Sequence, residues 1–280
     1  MVIQPLDTGD NKTVRRIKRL NQSHTARKKA GQTIIEGYRL IEDALGAGVR
    51  PELVVYSPRS VEHADGRSFL VRLQALSIRL FYVTDRLFQE LSQVETPQGI
   101  LAVAPIPELL SVETLWRRAP EPILLPVAAG LQDPGNLGTL MRAALASGAH
   151  ALGVTAGTVE PFNPKCIRAS AGAAFRLPMV FLDAEGLQEL RDRGAVLRAT
   201  AVDAGKPYFD ADWTTPSVML LGNEGNGLDQ DWRDGAELVT IPMSPAAESL
   251  NVSMAASVIL FHAAFQREKA GIGFLPPAMV

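Results

Sequence analysis

The chain has 280 residues, 46% hydrophobic and 21% charged, with a net charge of −2, which is length enough for a sizeable core and two domains. One cysteine, Cys166, excludes an intramolecular disulfide, and four scattered histidines (His24, His63, His150, His262) form no zinc spacing with it, so a cytosolic protein without metal is the expectation. The opening MVIQPLDTGDNK has no apolar signal core, and the longest apolar helical stretch, 254–265, is too short to span a bilayer.

Charge is unevenly placed. Residues 12–29 hold eight cations and no acid: Lys12, Arg15, Arg16, Lys18, Arg19, Arg27, Lys28 and Lys29. Residues 30–280 hold 20 basic against 28 acidic side chains. A basic arm ahead of an acidic body reads equally as a polyanion contact and as a solvated tail.

Beyond the arm, strand-like and helix-like patterns alternate. TIIEG is a strand. YRLIEDALGAG sets Leu40, Ile41, Ala44 and Leu45 on one helical face and stops at Gly46 and Gly48. ELVVYS is a strand, 67–76 a helix and IRLFYVT a strand. Asp85 is placed to cap RLFQELSQ, and GILAVAP is the last strand. Pro105, Pro107, Pro120 and Pro122 then bracket a short helix, 111–118, and mark a boundary. The second half carries near-continuous apolar strands: ILLPVAA, ALGVTAG, PMVFLD, VLRATAV, SVMLLG and ELVTIPM. Helical patterns between most of them argue an α/β domain whose parallel sheet is covered on both faces. The expected division is a flexible N-terminus (1–14), a small α/β domain (15–106), a linker (107–121), the parallel-sheet domain (122–270) and a tail (271–280).

Ligands of such sheets bind at the carboxyl ends of strands, which points to the loops after Ala129, Leu221 and Pro242. After the first comes LQDPGNLGTLMRAALASGAH. Asn136 is placed to cap its helix, and Arg142 sits among Ala143, Ala144 and Ala146. After the second comes Gly222-Asn223-Glu224-Gly225. Its glycine spacing is not the dinucleotide fingerprint, it lacks the Lys-Ser/Thr of a P-loop, and Glu224 would repel a phosphate. After the third comes IPMSPAAESLNVSMAASVILFHAAF. Ser249 or Asn251 caps a helix crowded with Ser253, Ala255, Ala256 and Ser257. Taken singly, these segments also read as a packing helix, a tight turn and a second packing helix.

In this order and at strand ends, N-x-G-x-x-x-R, L-G-N-E-G and I-P-M…S-L-N-V-S resemble the three motifs of the SpoU (TrmH) family of RNA ribose 2′-O-methyltransferases. NPKCIRASAGAAFRLP resembles a further family segment. ARKKAGQTIIEGYRLIEDAL and TPQGILAV are similar to the family's N-terminal substrate-binding domain, a small α/β fold of ribosomal-protein type. The resemblance covers roughly residues 15–268. It implies a SPOUT-type C-terminal domain with a deep trefoil knot, a homodimer, and S-adenosylmethionine held by Gly222, Asn223, Gly225, Ile241, Met243 and Leu250. It implies methyl transfer to a ribose 2′-hydroxyl of RNA, ribosomal RNA foremost, without metal. In the family the arginine matching Arg142 has been proposed as the base. A guanidinium has five donors and no acceptor, so phosphate anchoring and oxyanion stabilisation suit it better. Asn136 and Glu224 would orient it, while Ser249 and Asn251 shape the pocket. RNA contacts fall to Arg15, Arg16, Arg27, Lys28, Lys29 and Arg168. A transfer-RNA 2′-O-methyltransferase, a resistance methyltransferase for ribosomal RNA, a knotted base methyltransferase and a non-catalytic RNA-binding protein stay open as alternatives.

Overall fold

The basic arm is helical. The computed structural model describes residues 4–5, 11–62, 65–120, 122–202, 204–223, 225 and 227–273. The chain divides into two units, Met1–Pro107 with Phe162–Arg168, and Glu108–Pro161 with Ala169–Val280.

In the first unit, α1 (Lys12–Gln22) opens on Asn11, whose side chain accepts the Thr13 N–H at 2.8 Å. Val14, Ile17 and Leu20, three apart, form its buried stripe, while Lys12, Arg15 and Arg19 are exposed. This corrects the expected flexible N-terminus at its end, since residues 12–14 form the first turn of α1 and Val14 is fully buried. Most of what precedes lies outside the described residues. Ser23 then caps α2 (His24–Ala30), accepting the Ala26 N–H at 3.1 Å.

The sheet of this unit runs β1 (Gln4–Pro5), β4 (Arg79–Tyr82), β3 (Leu53–Tyr56), β5 (Ile100–Pro105), β2 (Gln32–Glu36) from edge to edge. β5 is antiparallel to β2 and β3, and the other pairs are parallel. The connections are α3 (Tyr38–Gly46), α4 (Gly66–Ala75) and α5 (Asp85–Leu91). Alternate strand residues Ile34, Leu53, Val55, Leu101 and Val103 cluster with Ile17 of α1 and Phe88 of α5. Asp85 does not cap α5. Thr84 does, accepting the Leu87 N–H at 3.3 Å, and Asp85 is the first helical residue. The late segment Phe162–Arg168 also belongs here, and the Thr33 hydroxyl donates to the Phe162 carbonyl at 2.7 Å.

In the second unit part of the expected linker packs into the core. Val112 and Leu115 of α6 (Val112–Arg118) are buried with Leu187 and Leu190 of α10 (Ala184–Asp192). A seven-stranded sheet follows, parallel at every pairing. Its order is β10 (Lys206–Pro207), β12 (Glu237–Thr240), β9 (Val196–Thr200), β11 (Ser217–Leu221), β6 (Leu124–Ala128), β7 (Leu152–Thr155), β8 (Met179–Leu182). Its other helices are α7 (Pro134–Ala146), α9 (Ala173–Arg176), α11 (Gln230–Arg233) and α12 (Val252–Lys269), with α8 (Pro164–Ala169) falling almost wholly in the segment assigned to the first unit. β6 and β11 pair residue for residue from Leu124 with Ser217 to Ala128 with Leu221. The chain after each therefore leaves the sheet side by side, at the end where ligands of parallel sheets bind.

α12 packs along α7. Its buried side is Ser253, Ala256, Ile259, Leu260, Ala263, Ala264 and Arg267, and the small residues let the two helices approach closely. Arg267 is 4% exposed. Its guanidinium donates to the carbonyls of Pro122, Ile123, Trp213 and Thr215 at 2.6 to 2.9 Å. It thus ties the end of the helix to the chain entering β6 and β11. The tail beyond Gly273 lies outside the described residues.

Candidate active site

Three strand-end segments converge in the second unit. After β6, the turn is closed by Asp133, not by Asn136. The Asp133 carboxylate accepts the Asn136 N–H at 2.8 Å, and Pro134 takes the first helical position. With the capping role filled, the Asn136 side chain faces another helix. Its Oδ1 accepts from Asn251 Nδ2 at 2.9 Å and lies 3.5 Å from the Ser253 hydroxyl. Asn251 itself caps α12, accepting the N–H groups of Ser253 and Met254 at 3.0 and 3.3 Å. One asparagine therefore starts α12 with its oxygen and reaches α7 with its amide nitrogen.

After β11, the loop doubles back on itself. Asn223 and Gly227 exchange backbone hydrogen bonds at 2.9 and 3.0 Å, and Asn223 Oδ1 accepts the Gly225 N–H at 2.8 Å. A Cβ on Gly222 would stand 2.3 Å from the Gly227 carbonyl carbon and 2.4 Å from the Leu228 nitrogen. The glycine is thus required where the loop crosses itself. Asn223 Nδ2 also donates to the Gly130 carbonyl at 2.9 Å, joining this loop to the one after β6. Glu224 lies outside the described residues.

Between the loop after β11, the segment after β12 and the start of α12 is a cavity of about 470 Å³, within the usual range for small-molecule sites. It is lined by Gly222, Asn223, Gly225, Ile241, Met243, Ser249, Leu250 and Asn251, with Thr200, Val202, Val239 and Ile259 completing much of the wall. All six residues expected to hold a cofactor are in this wall. No described lining residue is charged. Such a lining offers backbone groups and apolar surface, which fit an adenosine and disfavour a phosphate-bearing cofactor. Ser249 is exposed, and the capping role left open between it and Asn251 goes to Asn251.

Family models for the SpoU rRNA methylase family and the MRM3-like substrate binding domain match residues 124–261 and 11–102 respectively. A tRNA/rRNA methyltransferase of Synechocystis is 31% identical over 273 residues, covering 95% of each chain. The chain belongs to the SpoU rRNA methylase family. RlmP of Bacillus subtilis, a 23S rRNA (guanosine(2553)-2′-O)-methyltransferase, is 31% identical over 263 residues, 93% of this chain and 99% of that one. Among solved structures, the SpoU methyltransferase AviRb from Streptomyces viridochromogenes in complex with AdoMet matches with a TM-score of 0.82. It is 28% identical, and the match covers 92% of this chain and all of that one.

Against the SpoU motifs, the structure separates the expected site residues into groups. Asn136 and Asn251 meet directly. Arg142, six residues after Asn136, is exposed on α7 and makes no hydrogen bond or ion pair with a described residue. Ser253 was missed as a site residue. It is 3% exposed, and its hydroxyl donates to Asn251 Oδ1 at 2.6 Å. That bond is local to the start of α12, and only the register of α12 on α7 brings the hydroxyl within 3.5 Å of Asn136 Oδ1.

The expected RNA contacts also divide. Arg15, Lys28 and Lys29 are exposed. With Lys12 and Arg19, Arg15 and Lys29 line a cleft of about 610 Å³ floored by Leu20, Ala26 and Ala30. Arg16 also borders the cleft but is engaged by Glu52 and by Gln32 Oε1 at 2.6 Å, and it holds the Glu52 carboxyl down to about 2. Arg27 departs from expectation. It is 3% exposed and donates to the Leu20 carbonyl at 2.6 Å, closing the end of α1 rather than facing solvent. Arg168 is half-buried. Burial pushes its pKa down and the Glu36 carboxylate pulls it back up. Among the described residues, no three His, Cys, Asp or Glu side chains converge, and His63 lies outside them.

Proposed function

We propose that this protein transfers a methyl group from S-adenosylmethionine to a ribose 2′-hydroxyl of ribosomal RNA. The observation that carries the reading is the Asn136–Asn251 hydrogen bond. It sets the N-x-G-x-x-x-R helix near a cavity that Asn251 itself lines and whose described lining residues carry no charge. The ribosomal substrate is supported by the names of the relatives, RlmP among them. The bound cofactor supplies an electrophilic methyl group on a sulfonium. The chain's own residues do the rest. The loop 222–227 and residues 241–250 hold the adenosine part by backbone groups and apolar contact. Arg142 offers a planar fork of donors to the phosphate beside the target and to the 2′-oxygen as its proton leaves. Asn136, fixed by Asn251, and Glu224 orient that step, and Ser249 shapes the mouth. The exposed cations of α1 and α2, with Arg168, hold the RNA through its phosphates.

The same reading has the protein act as a cytoplasmic homodimer, with α12 forming part of the family's trefoil knot. Burial of α12 along α7 and the four carbonyls gathered by Arg267 support a threaded helix. Opposite the buried side, Met254, Val258, Phe261 and Phe265 are 40 to 62% exposed at spacings of four, three and four. That is a continuous apolar seam of the kind that pairs helices. Phe261→Glu with Phe265→Glu should yield a monomer by light scattering. The function is tested by tritiated methyl transfer to unmodified ribosomal RNA followed by nucleoside analysis. A 2′-O-methyl nucleoside is expected, and a methylated base would overturn the reading.

A further inference from the structure

Gly130 sits where three loops meet. It follows β6, in the left-handed region at φ 72°, three residues before the cap of α7. Its N–H is shared between two hydroxyls, Thr155 Oγ1 at 3.1 Å and Thr158 Oγ1 at 3.0 Å. Its carbonyl accepts from Asn223 Nδ2 at 2.9 Å. The Thr158 hydroxyl proton goes to the Ala128 carbonyl at 2.8 Å, so one hydroxyl ties the chain on both sides of Ala129. Thr155 spends its own proton on the Ala156 carbonyl at 3.0 Å. The two loops are further locked by the Val159 N–H, which donates to the Leu131 carbonyl at 2.7 Å. Neither Gly130, Thr155 nor Thr158 lines the cavity.

We infer that Thr158 is a positioning residue that sets the cofactor loop through Gly130 and Asn223, linking the loop after β7 to the site without touching a ligand. The inference rests on the methyltransferase reading of the cavity. The physical argument is one of geometry. Asn223 accepts the Gly225 N–H on Oδ1, exchanges backbone bonds with Gly227, and donates from Nδ2 to the Gly130 carbonyl. A glycine with positive φ has no side chain to fix its peptide planes, so its orientation is set by the partners of its N–H and C=O. Thr158 serves the N–H and, through Ala128, the strand end that leads to it. Gly130 stands just upstream of α7, so the Thr158 hydroxyl that holds it places the Asn136 helix and the cofactor loop in a common frame. Productive transfer requires the two to be held to within a fraction of an ångström.

The experiment is calorimetric titration with S-adenosylhomocysteine, alongside thermal melting. Thr158→Val keeps the shape and removes both hydrogen bonds, and should weaken binding about fivefold to tenfold. Thr158→Ser should bind within about twofold of wild type, because the hydroxyl alone carries the effect. Asn223→Ala should weaken binding too, and adding Thr158→Val to it should cost less than about twofold more, since the link runs through Asn223. In the wild-type protein the Gly130 amide should exchange more slowly on adding S-adenosylhomocysteine, a readout that needs no variant to fold. Thr158→Val binding as wild type does, losses that add in full, or a Gly130 amide indifferent to the ligand each overturn the inference. A wild type that takes up no S-adenosylhomocysteine overturns the cofactor reading and the inference with it. Binding by the wild type with any of the first three results overturns the inference alone.

Discussion

Replacing Arg142 by alanine should separate catalysis from both folding and cofactor binding. Arg142 lies exposed on α7 and has no partner among the described residues, so its removal breaks no hydrogen bond or ion pair among them. A surface change of this kind costs within about 0.5 kcal/mol, which is a melting shift of roughly 1 to 2 °C for a domain of this size. It is also absent from the wall of the 470 Å³ cavity, so S-adenosylhomocysteine affinity should stay within about twofold. Loss of a donor aimed at developing negative charge typically costs about 10²- to 10³-fold in rate, or roughly 3 to 4 kcal/mol of barrier. Methyl transfer should therefore fall at least a hundredfold while melting and cofactor titration barely move. Arg142→Lys should recover less than about tenfold, because a point charge does not reproduce a planar fork. The assay is single-turnover tritium transfer to unmodified ribosomal RNA, with an RNA carrying deoxyribose at the target as an inert control. Full activity in Arg142→Ala, or a loss of activity matched by a loss of melting temperature, would refute the reasoning.

Arg267→Met should lower stability by about 3 to 5 kcal/mol in urea titration, since it removes the donor of the Pro122 and Trp213 carbonyls and one of two donors from the Ile123 and Thr215 carbonyls; a change under 1 kcal/mol would deny the guanidinium its clasping role. His150 is 2% exposed, accepts the Leu124 N–H on Nδ1 at 3.0 Å, and is pushed by burial, then by the charge of Arg267, down to about 4. The unfolded chain takes up this proton below about 6.5 and the folded chain does so only near 4. The stability that His150 contributes is therefore complete above 6.5 and falls by roughly 3 kcal/mol as the pH drops to 4, and His150→Gln should flatten urea midpoints measured across that window relative to wild type. In the arm, changing Arg15, Arg19, Lys28 and Lys29 to Gln should reduce the slope of log affinity against log salt by about 0.7 for each phosphate left without its cation, read by fluorescence anisotropy with an RNA fragment. Arg27→Gln should instead lower the melting temperature, and an unchanged melt with a reduced salt slope would return Arg27 to the RNA surface.

The strands of the second unit were legible because a parallel sheet covered on both faces needs apolar residues at nearly every position. Leu124–Ala128 and Ser217–Leu221 are buried throughout. The three strand-end motifs were legible for a related reason, since topology delivers the chain after such strands to one end of the sheet, where the 470 Å³ cavity lies. Local capping was half legible. Asx and Ser/Thr residues stand near the starts of α5, α7 and α12, but several compete. Asp133 took α7 because Pro134 fixes the first turn one residue later, whereas α5 starts one residue early, so that Thr84 is the cap and Asp85 the first helical residue. What remained hidden depended on partners distant in the chain. Among eight cations the stripe of Val14, Ile17 and Leu20 is faint, and only burial against Ile34, Val55 and Phe88 makes α1 a helix of the core. Exposure and burial of like residues cannot be told apart from charge, so Arg27 reads as Arg15 does until the end of α1 is seen to need a donor. The pairing of Asn136 with Asn251 spans 115 residues, and Gly130 gathers partners 25, 28 and 93 positions away. A side chain's type and spacing limit what it is able to bond, but which partner it finds is decided only when distant segments are packed into register.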